Sequence, residues 1–313
     1  MLLLMIFIML RVVFLGTGGA LPTVNRNPSS ILVNREGELL LFDCGEGTQQ
    51  QMMRARTGMM SLSSIFITHF HADHVLGIPG LLQTLSFHGR DAPLTIYGPA
   101  WVEQFVKLVS LLGYCRLNFE IKAVPLEAGD TVQREGYVIN AIASEHSVPS
   151  LAYSLVENDR PGKFDRRHAE ELGVPVGPLF SRLQKGESVE VNGRVIYPNE
   201  VIGPSRKGRK LIYTGDTRPC EAIIKASKNA DVLIHDGTLA QEKADWACES
   251  LHSTAKEAAD VAQKAEVQRL ILTHISSRYT DDSSVLLEEA KEVFENTCVA
   301  DDLMEFEVPY GKQ

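Results

Sequence analysis

The 313-residue sequence predicts a layered α/β fold built on two sheets. Two observations lead there. Short apolar, β-rich runs alternate with helical patterns for most of the length, and sheet-rich meanders give way to strands separated by covering helices. Length and composition agree: 44% hydrophobic and 23% charged residues suit a large core and exclude a disordered chain, a collagen-like fibre or a membrane bundle.

In order, the candidate strands are Val12–Leu15, Ser30–Asn34, Leu39–Asp43, Ser64–Thr68, Leu94–Tyr97, Tyr137–Ala143, Leu151–Glu157, Leu211–Thr214, Asp231–His235, Leu270–Thr273 and Glu305–Val308. Thr48–Arg56, Ile78–Phe87, Ala100–Leu112, Thr254–Ala265 and Ser284–Phe294 carry apolar residues at helical spacing. The early strands read as antiparallel hairpins, one joined by the turn Asn34–Gly37. Met1–Leu10 is wholly apolar and only Arg11 interrupts the run to Leu15. That is short of the ~18 apolar residues a membrane span needs, and no basic segment precedes it as in a signal peptide. We read it as an overlong start to a buried first strand.

Five cysteines (Cys44, Cys115, Cys220, Cys248, Cys298) are scattered and never form C-x-x-C. This argues against a disulfide framework and for a reducing, cytoplasmic compartment. The 31 Lys+Arg against 40 Asp+Glu, net −9, argue on their face against a nucleic-acid partner. The average hides a division. Arg160–Lys210, punctuated by Gly and Pro, holds 11 basic and 6 acidic residues, +5, while the remainder holds 20 and 34, −14. A basic insertion of this kind inside a domain is usually functional or mobile.

The strongest motif is His69-Phe-His71-Ala-Asp73-His74, directly after a strand. A strand ending in a tight turn aims such side chains at one point, and neutral imidazole and carboxylate suit Zn²⁺, Mn²⁺ or Fe. Four ligands from one loop cannot fill two metals. Further partners are expected at other strand ends, where His146, Asp216 and His274 stand. A carboxylate can bridge two cations, so Asp216 is the natural shared ligand of a two-metal site. His235 also ends a strand and is a rival ligand, whereas His88 and His168 have no partners at ligand-like positions.

H-x-H-x-D-H with the later His, Asp and His resembles the metallo-β-lactamase superfamily. That implies a four-layer αβ/βα sandwich with a dinuclear site at its edge. FLGTGGALPTVNRNPSSILV, LLFDCGEGTQQQM, GIPGLLQTLSF, LTIYGP, LIYTGDTRP and THISSRY together resemble the short form of the ribonuclease Z family, endonucleases that remove 3′ trailers from tRNA precursors. The resemblance runs from Arg11 onward. It implies a catalytic domain over 11–313, with 160–210 inserted as the exosite arm that holds tRNA, and 1–10 as an apolar extension.

Carried over by position, the resemblance gives one zinc to His69, His71 and His146 and the other to Asp73, His74 and His274, with Asp216 bridging. Mn²⁺ or Fe would also suit these donors. Asp73 would orient the attacking hydroxide as general base, and Asp43 would orient ligands without binding metal. The family's His-Glu-Ala-Thr motif reads His235-Asp236-Gly237-Thr238 here. The shorter carboxylate Asp236 would engage His252, which stabilises the leaving oxygen or donates a proton. RNA contacts would come from Arg26 in the Asn25-Arg26-Asn27 turn, from Ser276, Arg278 and Tyr279, and from the arm's Gly177 and Pro178, with Gly186 following. The implied assembly is a homodimer whose arm serves the partner's site, acting on precursor tRNA and away from membranes. Rival readings are a small-molecule metallohydrolase, which would not need the arm, and a non-catalytic metal- or RNA-binding module, which would commonly lack Asp73 or Asp216.

Overall fold

The computed structural model describes residues 9–112 and 117–311. The apolar start up to residue 8 and Cys115 lie outside the described residues; the other four cysteines are free thiols. The chain divides into two compact units, Met1–Val156 with Lys210–Pro309, and Glu157–Arg209 with Tyr310–Gln313.

The larger unit holds two seven-stranded sheets. The first contains β1 (Leu10–Gly16), β2 (Ser30–Arg35), β3 (Glu38–Phe42), β4 (Leu62–Phe66), β5 (Leu94–Gly98) and β6 (Ile121–Pro125). The second begins with β7 (Thr131–Arg134), β8 (Tyr137–Ala143) and β9 (Leu151–Glu157). After the short pair β10 (Val189–Val191) and β11 (Arg194–Ile196) of the smaller unit, it resumes with β12 (Lys210–Tyr213), β13 (Val232–Asp236), β14 (Leu270–Thr273) and β15 (Thr297–Val299). The final strand β16 (Glu305–Glu307) returns to the first sheet, giving the orders β16-β1-β2-β3-β4-β5-β6 and β15-β14-β13-β12-β9-β8-β7.

Alternation along the strands builds the layers. On β1, Val12 and Phe14 join a core shared with Tyr153, Leu211 and Tyr213 of the other sheet. Val13 and Leu15 face the opposite way, toward Ile78, Leu81, Leu85 and Phe105 of covering helices. On β12, Leu211 and Tyr213 point between the sheets, while Ile212 packs on Ala255, Ala258 and Ala262 of the helix Ala255–Lys264. The result is helix, sheet, sheet, helix: the αβ/βα sandwich.

The expectation of early antiparallel hairpins holds only for β1 to β3. The turn Asn34–Gly37 joins β2 to β3, with Glu36 at φ 53° and Gly37 at φ 95°. From β3 to β6 pairing is parallel. The helices Thr48–Arg54, Gly77–Phe87 and Val102–Ser110 intervene, and parallel neighbours require such crossovers. Four parallel strand ends, those of β4, β12, β13 and β14, therefore deliver their following loops to carboxyl-terminal edges, where α/β sheets place ligands.

The smaller unit has its own apolar core of Ala169, Val174, Leu183, Val189, Ile196 and Val201. It contains three short helices and the β10–β11 hairpin, turned by Asn192 (φ 52°) and Gly193 (φ 78°). Asn-Gly between alternating apolar residues is a strong hairpin signal. At its base the ion pair Arg209–Glu157 is buried, and Tyr310 stacks under the guanidinium groups of Arg160 and Arg209. Over Glu157–Arg209 with Tyr310–Gln313 the sequence holds 11 basic and 8 acidic residues, so the structural boundary gives +3 rather than +5.

Candidate metal centre

The loop after β4 brings His69 and His71 to the edge of the first sheet, and the short helix Ala72–Val75 adds Asp73 and His74. His146 follows β8, Asp216 follows β12 and His274 follows β14. Two sets of side chains each converge on one point: His69, His71, His146 and Asp216, and Asp73, His74, Asp216 and His274. Asp216 belongs to both. Its Oδ2 lies 3.6 Å from His69 Nε2, 3.3 Å from His74 Nε2, 3.9 Å from His146 Nε2 and 3.2 Å from His274 Nε2.

The far nitrogens of these rings are held. Asp43 Oδ2 accepts from His74 Nδ1 at 2.8 Å, and Leu251 O accepts from His146 Nδ1 at 3.0 Å. Thr68 Oγ1 donates to Asp43 at 2.9 Å and so accepts from His69 Nδ1 at 3.0 Å. Thr238 Oγ1 donates to Asp236 at 2.6 Å and so accepts from His274 Nδ1 at 2.8 Å. Each link fixes a tautomer that turns an Nε2 lone pair inward, as metal-ligating histidines require. The inward atoms His69 Nε2, His74 Nε2 and Asp216 Oδ1 are buried with no hydrogen-bond partner. Orphaned buried acceptors on two sides of a carboxylate fit a cation, because leaving them unpaired costs about 1–3 kcal/mol each.

Electrostatics point the same way. Burial, reinforced by neighbouring imidazoles, pushes His69 well below the usual histidine range and lowers His71, keeping both in the neutral form metals need. Burial opposes protonation of His74 as well, yet Asp216 and Asp43 outweigh it and raise this ring. Burial raises the carboxyls of Asp216 and Asp73, but the facing histidines hold both well below the usual carboxylate range. The carboxylates thus stay ionised and call for positive charge. Cys44, in the loop beside Asp43, is no rival nucleophile: burial pushes its thiol up to about 12.

Backbone geometry explains much of the surrounding motif. Asp43 and His274 hold left-handed φ values of 56° and 60°, sparsely populated for such residues and concentrated at functional sites. A Cβ on Gly19 would come within 2.7 Å of the His274 ring, so only glycine lets this loop approach. The next residue, Ala20, donates its N–H to Asp73 Oδ2 at 2.8 Å. Gly215, at φ 58°, delivers Asp216 against Thr68, where a Cβ would fall within 2.7 Å of the threonine methyl.

His252 and Asp236 meet at the same cluster, with Asp216 and His274. Asp236 Oδ2 accepts from His252 Nδ1 at 2.9 Å, so the shorter carboxylate still reaches its histidine. Burial alone would lower His252, but Asp236 raises it to about 9. His235 is buried one residue earlier, its Nδ1 donating to Asp236 O at 2.8 Å, and it belongs to neither ligand set. His88 and His168 are exposed.

The RNA-contact expectations fare unevenly. Arg26 must be corrected: its side chain is 4% exposed and turns inward, donating to Thr17 Oγ1, Ala300 O and Asp301 Oδ1. It clamps the loop that carries it and presents no guanidinium to solvent. Tyr279 uses its hydroxyl to accept from Ala240 N. Arg278 is exposed, stacked over Trp246 at 4.2 Å, with Ser276 Oγ 3.5 Å from its guanidinium. Gly177 and Pro178 are exposed at the start of the helix Pro178–Gln184 in the smaller unit. Sequence reasoning missed Asp302, whose carboxylate accepts from Thr17 N and Oγ1, Asn27 N and Nδ2, and Gln51 Nε2. It also missed Thr68, Thr238 and Tyr213, whose hydroxyl donates to Asp43. The only sequence signal for the two threonines was their position beside ligands at strand ends.

Fold and donor set define the class: a hydrolase-type metallo-β-lactamase sandwich with clustered histidine and aspartate at its edge. Residues 198–275 match the beta-lactamase superfamily domain, and residues 10–161 match the model of the anti-Pycsar protein Apyc1. The chain is 63% identical to the ribonuclease Z of Methanosarcina mazei over 302 residues, covering 96% of this chain and 99% of the relative. It is 46% identical to that of Myxococcus xanthus, covering 96% and 98%. Human tRNase Z, short form, superimposes with a TM-score of 0.70 at 29% identity, over 96% of this chain and 99% of that one. The metallo-beta-lactamase fold protein YhfI of Bacillus subtilis gives 0.69 at 21% identity, over 96% of this chain, and attests the fold alone. The chain belongs to the ribonuclease Z family and is an endoribonuclease.

Proposed function

We propose that this endoribonuclease removes the 3′ trailer from precursor tRNA, leaving a 3′-hydroxyl on the tRNA. One observation carries the mechanism: three ligands stand on either side of the shared carboxylate Asp216, and His69 Nε2, His74 Nε2 and Asp216 Oδ1 are buried there without a partner. His69, His71 and His146 would hold one cation and Asp73, His74 and His274 the other, with Asp216 between them. Zinc is the first choice for such donors, and Mn²⁺ or Fe would also suit. Two such cations would supply a hydroxide nucleophile at neutral pH and offset charge on the phosphoryl oxygens.

The protein's own groups do the rest. Asp73, fixed by Ala20 N, acts as general base on the attacking water. Held ionised by His274 and His74, it contributes orientation more than proton affinity. His252, charged by its pairing with Asp236, donates a proton to the departing 3′ oxygen. Asp43 and Thr238 lock the ligand rings. Residues 160–210 form an insertion in a catalytic domain spanning 11–313, and its exposed arginines and lysines grip tRNA phosphates; rigid folded RNA is recognised by shape and backbone. The arm acts on the partner subunit's site in a cytoplasmic homodimer; no described helix is long and apolar enough to cross a membrane. Incubation with a 3′-extended pre-tRNA tests the proposal. A single cut beside the discriminator nucleotide, leaving a 3′-hydroxyl, is expected; an intact precursor, or cuts scattered through the tRNA body, would refute it.

A further inference from the structure

Phe70 lies between two residues of the metal cluster, yet its ring points elsewhere. It packs edge-on against Trp101 at 5.1 Å and 89°, and against Phe105 at 5.3 Å. Gly98, ending β5, adjoins it: a Cβ there would sit 3.6 Å from the Phe70 ring, an ordinary contact, and more tightly, at 3.2 Å, against Ile67. Trp101 follows at the start of the helix Val102–Ser110 and stays 47% exposed, propped by these rings. Between it and the cluster lies a cavity of about 300 Å³, walled by Phe70, Trp101, Pro99, Val148 and Pro149, and closed on one side by His71 itself.

The chemistry of this cavity is specific. Among the described residues no lysine, arginine or carboxylate lines it, so it offers little to a phosphate. An exposed, buttressed indole beside a reacting centre is instead a platform for a flat, weakly polar ring. The enzyme cuts RNA, so a nucleobase on each side of the scissile phosphate must lie within reach of His71. The chain's other tryptophan, Trp246, has its ring covered by Arg278; no cation covers Trp101 among the described residues. The larger cavity near the cluster, about 410 Å³, is lined by Asn27, Glu46, Gln49 and Gln50 and lacks any aromatic platform.

We infer that this cavity is a base-stacking subsite that takes the first nucleobase of the RNA trailer, with Trp101 as its floor. The choice of side rests on the function proposed above. His252 attends the leaving 3′ oxygen of the tRNA and neighbours His146 at 5.2 Å and His274 at 4.9 Å. His71 lies on the other flank of His146, at 5.0 Å. The tRNA-side nucleoside therefore belongs toward His252, and the nucleotide bearing the attacked phosphate belongs toward His71. Stacking does not discriminate bases strongly, so this subsite would secure any trailer while leaving its sequence free.

The test combines protein and substrate changes. Trp101→Ala should lower kcat/KM on a 3′-extended pre-tRNA about tenfold, and Trp101→Phe by less. An abasic residue at the first trailer position should cost the wild type about as much, and Trp101→Ala should then add less than about twofold. 2-Aminopurine at that position should be quenched on binding to the wild type and to Trp246→Phe, but not to Trp101→Ala. An undiminished Trp101→Ala penalty on the abasic substrate, or its removal only by an abasic discriminator nucleotide, would overturn the assignment. If the wild type cuts no pre-tRNA at all, the proposed function falls; if it cuts and Trp101 is silent in both readouts, only the subsite does.

Discussion

The two compact units differ in where most of their charge is held. In the larger, the ionisable groups of the cluster are buried and tied: Asp43, His69, His74, Asp216, Asp236 and His274 are each at most 3% exposed, and the outer nitrogens of His69, His74, His146 and His274 are hydrogen-bonded. In the smaller, apart from the buried Arg209–Glu157, ion pairs lie at the surface, among them Arg166–Glu170, Arg167–Glu171 and Arg182–Glu187, over a core of six small and medium apolar side chains. Buried groups must be held to sub-ångström positions because desolvation makes misplacement costly. Surface pairs are individually worth about 0–1 kcal/mol and exchange partners readily. The first arrangement suits chemistry, the second suits an extended polyanion.

The comparison can be broken at its strongest point first. Asp216→Ala should abolish cleavage and reduce bound metal below two equivalents, read by elemental analysis of dialysed protein; retained turnover would remove the bridging role. His252→Ala should lower kcat by about 10²–10⁴-fold while metal content stays unchanged. Thr238→Val breaks only the link that orients His274 and should weaken metal affinity by about 10–100-fold, measured by competition with a chelator. In the smaller unit, Leu183→Ala should destabilise that core by about 2–5 kcal/mol. Cleavage of pre-tRNA should fall while hydrolysis of a small phosphodiester persists; equal loss of both would deny the division of labour. Smallest of all, Arg167→Ala should leave stability within about 0.5 kcal/mol and flatten the salt dependence of tRNA binding by about one unit of log–log slope.

What the sequence revealed follows the same divide. Strands buried on both faces, such as β1, β13 and β14, stood out as apolar runs, and the cluster residues stood out because histidine and aspartate are dense there. Short, partly exposed edge strands, β6, β7 and β15, did not. Nor could sequence disclose which way Arg26 points: an arginine in a polar turn looks like an RNA contact until Thr17, Ala300 and Asp301 close around it. Asp302 was equally silent, because its partners are some 250 residues or more away along the chain. Net charge misled for a simpler reason. It averaged an acidic body, 20 basic against 32 acidic residues outside the second unit, with a mildly basic arm.

Asp302 also sets an order in time. Its two oxygens gather Thr17, Asn27 and Gln51, and the loop between Thr17 and Asn27 carries Ala20, which steadies Asp73. During synthesis the early segment emerges long before its anchor does. Thr17, Asn27 and Gln51 must wait for Asp302, some 250 residues or more further along, before that loop can take its final form.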